Sequence, residues 1–166
     1  MKNNKVLNIT FAAMIAALYV VLTFASNSFG LASGVIQVRL SEALCVLPYF
    51  TPAAIPGVTV GCFLANWMTG CAIPDIIFGT LATLIGAVGA YMLRKNRFLV
   101  PIPTIVSNMV IVPWVLRFAY GAPDGILYMM ATVGAGEFIA CGVLGILLIF
   151  AIIPLKGVVF STGRKK

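Results

Sequence analysis

DIIFGTLATLIGAVGAYML, residues 75–93, carries one charge, Asp75, in nineteen residues and runs directly into Arg94-Lys95-Asn96-Arg97. An α-helix rises about 1.5 Å per residue, so this stretch covers about 28 Å, close to the ~30 Å of hydrocarbon in a bilayer. Its acid stands at the helix end where the dipole favours negative charge, and basic residues stop the apolar run at the other end. Such a segment reads as a membrane span that ends at a cytoplasmic loop.

The rest of the chain reads the same way. Of 166 residues, 61% are hydrophobic and 9% charged, with a mean hydropathy of +1.10. Soluble domains are charged at roughly a quarter of their positions, so the apolar residues here must face lipid as well as one another. The expected architecture is all-α: one polytopic transmembrane domain over residues 1–166, a six-helix bundle. Its helices are expected at about 8–26, 39–50, 55–68, 75–93, 98–118 and 126–153. Residues 27–38 form a Gly/Ser-containing connection, Pro48 and Pro52 interrupt the short second helix, and Pro113 lies inside the fifth. The first apolar run follows Lys2 and Lys5, is long, and leads to no clear A-x-A site, so it reads as a span and not as a signal peptide.

Charge placement gives an orientation. The formal charge is +7, yet nine of the eleven basic residues fall on one side of a six-span bundle. They are Lys2, Lys5, Arg94, Lys95, Arg97, Lys156, Arg164, Lys165 and Lys166, and none of the four acids joins them. Positive charge marks the cytoplasm, so both termini are expected inside. Topology thus accounts for the basic residues without nucleic acid. Cys45, Cys62, Cys71 and Cys141 have no paired spacing and the chain has no histidine, which points to packing thiols and to no metal site, disulfide framework or cofactor. There is no Walker motif and no nucleophile elbow, so an enzyme is not expected. Uphill transport would draw on an ion gradient or on another subunit.

Six charges have no topological role: Arg39, Glu42, Asp75, Arg117, Asp124 and Glu137. Two positives against four negatives leave the outer half at −2, which suits a cationic or donor-rich ligand. Glu137 lies about 15 Å along the last helix, where an unpaired charge costs about 3 kcal/mol or more, so it is a functional candidate. Arg39 and Glu42, three apart, read equally as a structural pair or as site residues. Asp75 either caps its helix or faces a ligand, and Asp124 reads as a solvated turn residue. Asn66, Trp67, Asn108, Trp114 and Tyr120 surround these charges. Carboxylates and amides read the donor edge of a purine-like ring and aromatic rings stack on its face. Trp67 and Trp114 fit an interfacial belt just as well.

Small residues recur at helical spacing. Ala12, Ala13, Ala16 and Ala17 make a flat strip on the first helix on which another helix can lie. Gly79, Ala82, Gly86 and Gly89 do so on the fourth, and Gly134, Gly142 and Gly145 on the sixth, where packing within the chain is expected.

Four stretches carry a resemblance: IQVRLSEALCVLP (36–48), GCFLANWMTG (61–70), DIIFGTLATLIGA (75–87) and VGAGEFIACGVLG (133–145). In order along nearly the whole chain they resemble the QueT family, substrate-binding S components of energy-coupling factor (ECF) transporters. Cys45, Cys71 and Trp114 match no family motif. The resemblance implies a six-helix protein of the plasma membrane, N-in and C-in. It implies a queuosine precursor as ligand, 7-aminomethyl-7-deazaguanine (preQ1) or queuine, bound near the outer face. It also implies partners: a membrane-embedded coupling subunit and two ABC ATPases that form the ECF module. The alanine strip matches the family's docking motif for that subunit, and delivery follows when the S component topples in the membrane. For the ligand, Glu137 and either Glu42 or Asp75 are the expected acid contacts, Asn66 and Asn108 complete the ring contacts, and Trp67 or Trp114 covers a face. Arg39 either meets the ligand's carbonyl side or holds Glu42. The competing reading is a stand-alone, proton-coupled secondary transporter of a small purine-like or cationic micronutrient, with Glu137 as relay.

Overall fold

The computed structural model describes residues 2–31 and 36–155, with side chains from Lys5 onward. Lys156, Arg164, Lys165, Lys166, the side chain of Lys2 and residues 32–35 of the first connection therefore lie outside the described residues. The described chain is helical throughout: α1 (Lys2–Ser28), a 3₁₀ helix (Leu40–Tyr49), α2 (Ala54–Met68), α3 (Ile73–Met92), α4 (Ile102–Ala119), α5 (Ile126–Glu137), a π segment (Phe138–Leu144) and α6 (Gly145–Ile152). α5, the π segment and α6 follow one another without a break, and a short 3₁₀ turn extends the rod to Leu155. Four helical stretches are long and apolar enough to cross a membrane: Lys5–Ser28, Ile73–Met92, Ile102–Ala119 and Ile126–Leu155. The protein is a multi-pass helical membrane protein. Its outer faces are apolar, with Phe118 79% and Leu127 81% exposed, as lipid contact requires.

Of the two shorter elements, α2 keeps an exposed apolar face and the 3₁₀ helix is interior. In the 3₁₀ helix Ser41 through Pro48 are all buried, so this segment is enclosed on every side and touches α1, α3, α6 and the π segment. At about 2.0 Å per residue its ten residues span about 20 Å, where an α-helix would span about 15 Å. The winding lets a short element reach far through the bundle. Around it sits the apolar core, with Tyr19, Val46, Val58, Cys141 and Ile149 almost fully buried.

Elements differ from the sequence expectation at their ends. α1 begins at Lys2 and not at Asn8, and α4 begins at Ile102 because Pro101 and Pro103 sit at its threshold after a run of turns. The uninterrupted helix expected over 126–153 contains the π segment directly after Glu137.

Small residues set the helix spacings. A side chain at Gly61 would meet the Tyr19 Cβ at 2.6 Å and the Ala16 Cα at 3.1 Å, so α1 and α2 lie nearly backbone to backbone. Gly86 and Gly89 do the same for α3 against Thr104 and Pro103 of α4, as expected. Gly70 and Gly121, both at positive φ, turn the chain out of α2 and α4. Those turns share one end of the molecule, where the Ala72 amide donates to the Tyr120 hydroxyl at 3.0 Å. At the other end Arg97 stacks over Phe150, 4.7 Å from its ring centroid.

Candidate ligand site

Asp75 lies in the first turn of α3 and the basic run 94–97 directly follows that helix, so about 30 Å separates the acid-bearing end from the exposed basic end. At the acid-bearing end a cavity of about 370 Å³ opens among the helices. Its polar wall comes from Asn27 of α1, Gln37 and Arg39 of the strap at 36–39, Asn66 of α2, Asp75 of α3 and Tyr120 at the end of α4. Beneath it lies a slot of about 30 Å³ whose walls include Glu42, Cys62, Thr83, Asn108 and Glu137. Gln37, Arg39 and Asp75 border both hollows.

The three acids are held differently. Glu42 is 2% exposed; the Tyr19 hydroxyl donates to its Oε1, and the Cys45 thiol to its Oε2 at 3.2 Å. Asp75 is 6% exposed and accepts from the Tyr120 hydroxyl at 2.9 Å through Oδ2. It makes no cap contact with the start of α3, so of its two readings the cavity-facing one fits the geometry. Glu137 closes α5 at the edge of the π segment; Asn108 neighbours its carboxyl, while its Oε2 is buried with no hydrogen-bond partner.

Arg39 sits in extended backbone just ahead of the 3₁₀ helix, and its Nη1 donates to Asn66 Oδ1 at 3.4 Å. The i, i+3 pair with Glu42 is not what holds it. The start of the 3₁₀ helix behind the strap is fixed from α1, where Thr23 donates to Ser41 Oγ at 2.9 Å and Ser26 Oγ accepts from the Leu40 amide at 2.8 Å; in the strap itself the Val38 amide donates to the Leu31 carbonyl at 2.9 Å. From α5, Gly136 lets the Gln37 carbonyl come so close that a Cβ would overlap it.

Six of the eight expected contact residues thus converge: Arg39, Glu42, Asn66, Asp75, Asn108 and Glu137. The two tryptophans do not. Trp67 is 63% exposed beside Phe63, and Trp114 stacks on Phe118 along an outward apolar groove, so neither lines the cavity. Both rings sit at the periphery, where an interfacial belt would lie. Asp124 is exposed as expected, and Arg117 serves the same turn by donating to the Ala122 carbonyl at 2.9 Å. Sequence reasoning passed over Gln37, Asn27, Thr23 and Tyr19. The first lies in a connection, and the α1 residues look unremarkable in an apolar helix. Cys45, Cys62 and Cys141 are buried, but Cys45 donates to Glu42, Cys62 lines the inner slot and Cys71 borders the outer cavity.

The alanine strip divides. Ala16 is buried against Gly61 of α2, and the Ala12 carbonyl abuts Gly57, whereas Ala13 and Ala17 point outward. Only half of the strip is free to receive another helix.

These features define a multi-pass helical membrane protein with a charged, partly enclosed cavity at one end. The profile of the QueT transporter family matches residues 9–154, and the chain belongs to that family. It is also 38% identical over 85 residues to the queuosine precursor transporter QueT of Lactococcus lactis subsp. cremoris (strain MG1363), a match covering 51% of this chain. The chain spans about half the length of that curated relative. No solved structure matches it.

Proposed function

We propose that this chain is the substrate-capturing S component of an ECF-type uptake transporter in the plasma membrane, and that its ligand is a queuosine precursor. The observation that carries this reading is a 370 Å³ cavity walled by Arg39 and Asp75, with Glu42 and Glu137 lining the slot directly beneath it. That volume lies within the ~300–1,000 Å³ usual for small-molecule sites. A 7-deazaguanine presents adjacent N–H donors that one carboxylate accepts pairwise, and the amine-bearing precursors add a cation. Three acids and one arginine suit that pattern and disfavour an anion. Membership of the QueT transporter family and the likeness to the queuosine precursor transporter of Lactococcus support the ligand class.

In this reading six passes put both termini and the 94–97 run in the cytoplasm, so the cavity faces outward. Ala13 and Ala17 offer the docking face for the coupling subunit, two ABC ATPases supply the energy, and toppling carries the occupied cavity inward. The test is a binding titration of the detergent-purified protein with 7-aminomethyl-7-deazaguanine, queuine, guanine and riboflavin in parallel. Micromolar or tighter binding of a 7-deazaguanine, with riboflavin inert, is expected. Equal indifference to all four would sink the reading, and uptake into proteoliposomes driven by a proton gradient without any ATPase would favour the secondary transporter instead.

A further inference from the structure

The two hollows are unequal, and their inequality orients a ligand. The outer one, about 370 Å³, has room for a bicyclic ring; the inner slot, about 30 Å³, holds two or three water-sized groups, since a water needs about 10–15 Å³. Both oxygens of Glu42 already accept a hydrogen from the protein. Glu137 Oε2 does not, although it is buried and the slot is lined by its residue. A buried acceptor without a donor carries a desolvation penalty that a donor entering the slot relieves. Asp75, at the junction of the hollows, has Oδ2 engaged by Tyr120 and lines both chambers.

Resting on the queuosine-precursor reading above, we propose that the slot is an ammonium subsite. The ligand's short cationic arm enters it and donates to Glu137 Oε2, while the planar ring stays in the outer chamber against Asp75 and Asn66. The slot accommodates a primary ammonium on one methylene and does not accommodate a ring. It therefore acts as a size filter: an amine that carries a further cyclic substituent cannot seat its nitrogen there without leaving the base displaced outward. The site selects the unsubstituted aminomethyl ligand over its bulky derivative by shape, and over its uncharged counterpart by charge.

Isothermal titration of the full chain in detergent decides this, using 7-aminomethyl-7-deazaguanine, its uncharged 7-cyano counterpart and queuine against the native protein and Glu137→Gln. The native protein should hold the aminomethyl ligand at least tenfold more tightly than either alternative. Glu137→Gln should weaken the aminomethyl ligand at least tenfold more than the nitrile. Equal native affinities for the aminomethyl and cyano ligands would overturn the assignment, as would equal losses for both in the variant, the pattern expected if only water fills the slot. If the variant fails to fold, the native ligand series decides alone. Binding of 7-deazaguanines without these preferences defeats the ammonium subsite but leaves the proposed function standing. Binding of none of them removes both.

Discussion

At the scale of single residues, the site depends on hydroxyls that fix its acids. Tyr120 bridges two elements, accepting from the Ala72 amide and donating to Asp75. Burial, and then the neighbouring Asp75 carboxylate, pushes its phenol well above the usual tyrosine range, so it remains a donor. Because the folded form resists deprotonation, this contact contributes fully below the ordinary value of about 10 and is lost as pH rises beyond it. Tyr19 holds Glu42 from α1 in the same way, inside the bundle. Tyr19→Phe should leave a buried carboxyl oxygen without its donor and cost about 1–3 kcal/mol. Thermal melting in detergent checks this: a melting temperature equal to that of the native protein would show that the hydroxyl is dispensable.

Among the elements, the strap at 36–39 is the piece that brings Gln37 and Arg39 to both hollows. Gly136 is where α5 admits it, and no side chain fits between the α5 backbone and the Gln37 carbonyl. Gly136→Ala should displace the strap, move Arg39 away from Asn66 and Asp75, and weaken ligand binding by tenfold or more. The change lies one residue from Glu137, so Ala135→Gly is the control that alters the same helix without touching the strap. Equal affinities in Gly136→Ala and native protein would show that the strap does not shape the site. This dependence was hidden in the sequence. Hydropathy and the positions of lysine and arginine revealed the helices because both report on water and lipid alone. Charges stranded in apolar runs pointed to Glu42, Asp75 and Glu137 because burial is costly for them. The 3₁₀ winding of Leu40–Tyr49, the π segment after Glu137 and the role of Gly136 arise from contacts between distant segments, and no local pattern encodes them. The tryptophans misled for a related reason: an aromatic ring suits a ligand face and a membrane interface equally, and only tertiary placement separates the two.

For the molecule as a whole, the division of the alanine strip gives the sharpest expectation. Ala13→Leu and Ala17→Leu should leave ligand affinity and melting temperature near native while abolishing copurification of the coupling subunit. Ala16→Leu should instead overpack the contact with Gly61 and cost about 1–3 kcal/mol of stability. Undiminished copurification with both outward variants would place the docking face elsewhere on the protein. The walls of the two hollows have a wider consequence. They draw on α1, the strap, the 3₁₀ helix, α2, α3, α4 and α5, so nearly every stretch of the chain borders the same small space. A guest seated there is the keystone of an arch. It ties together segments that the polypeptide joins only by long detours, and at a hundredfold excess over its dissociation constant it adds about 2.7 kcal/mol to the folded state. On the proposed function the empty protein is the looser vessel, and loading it should raise its melting temperature.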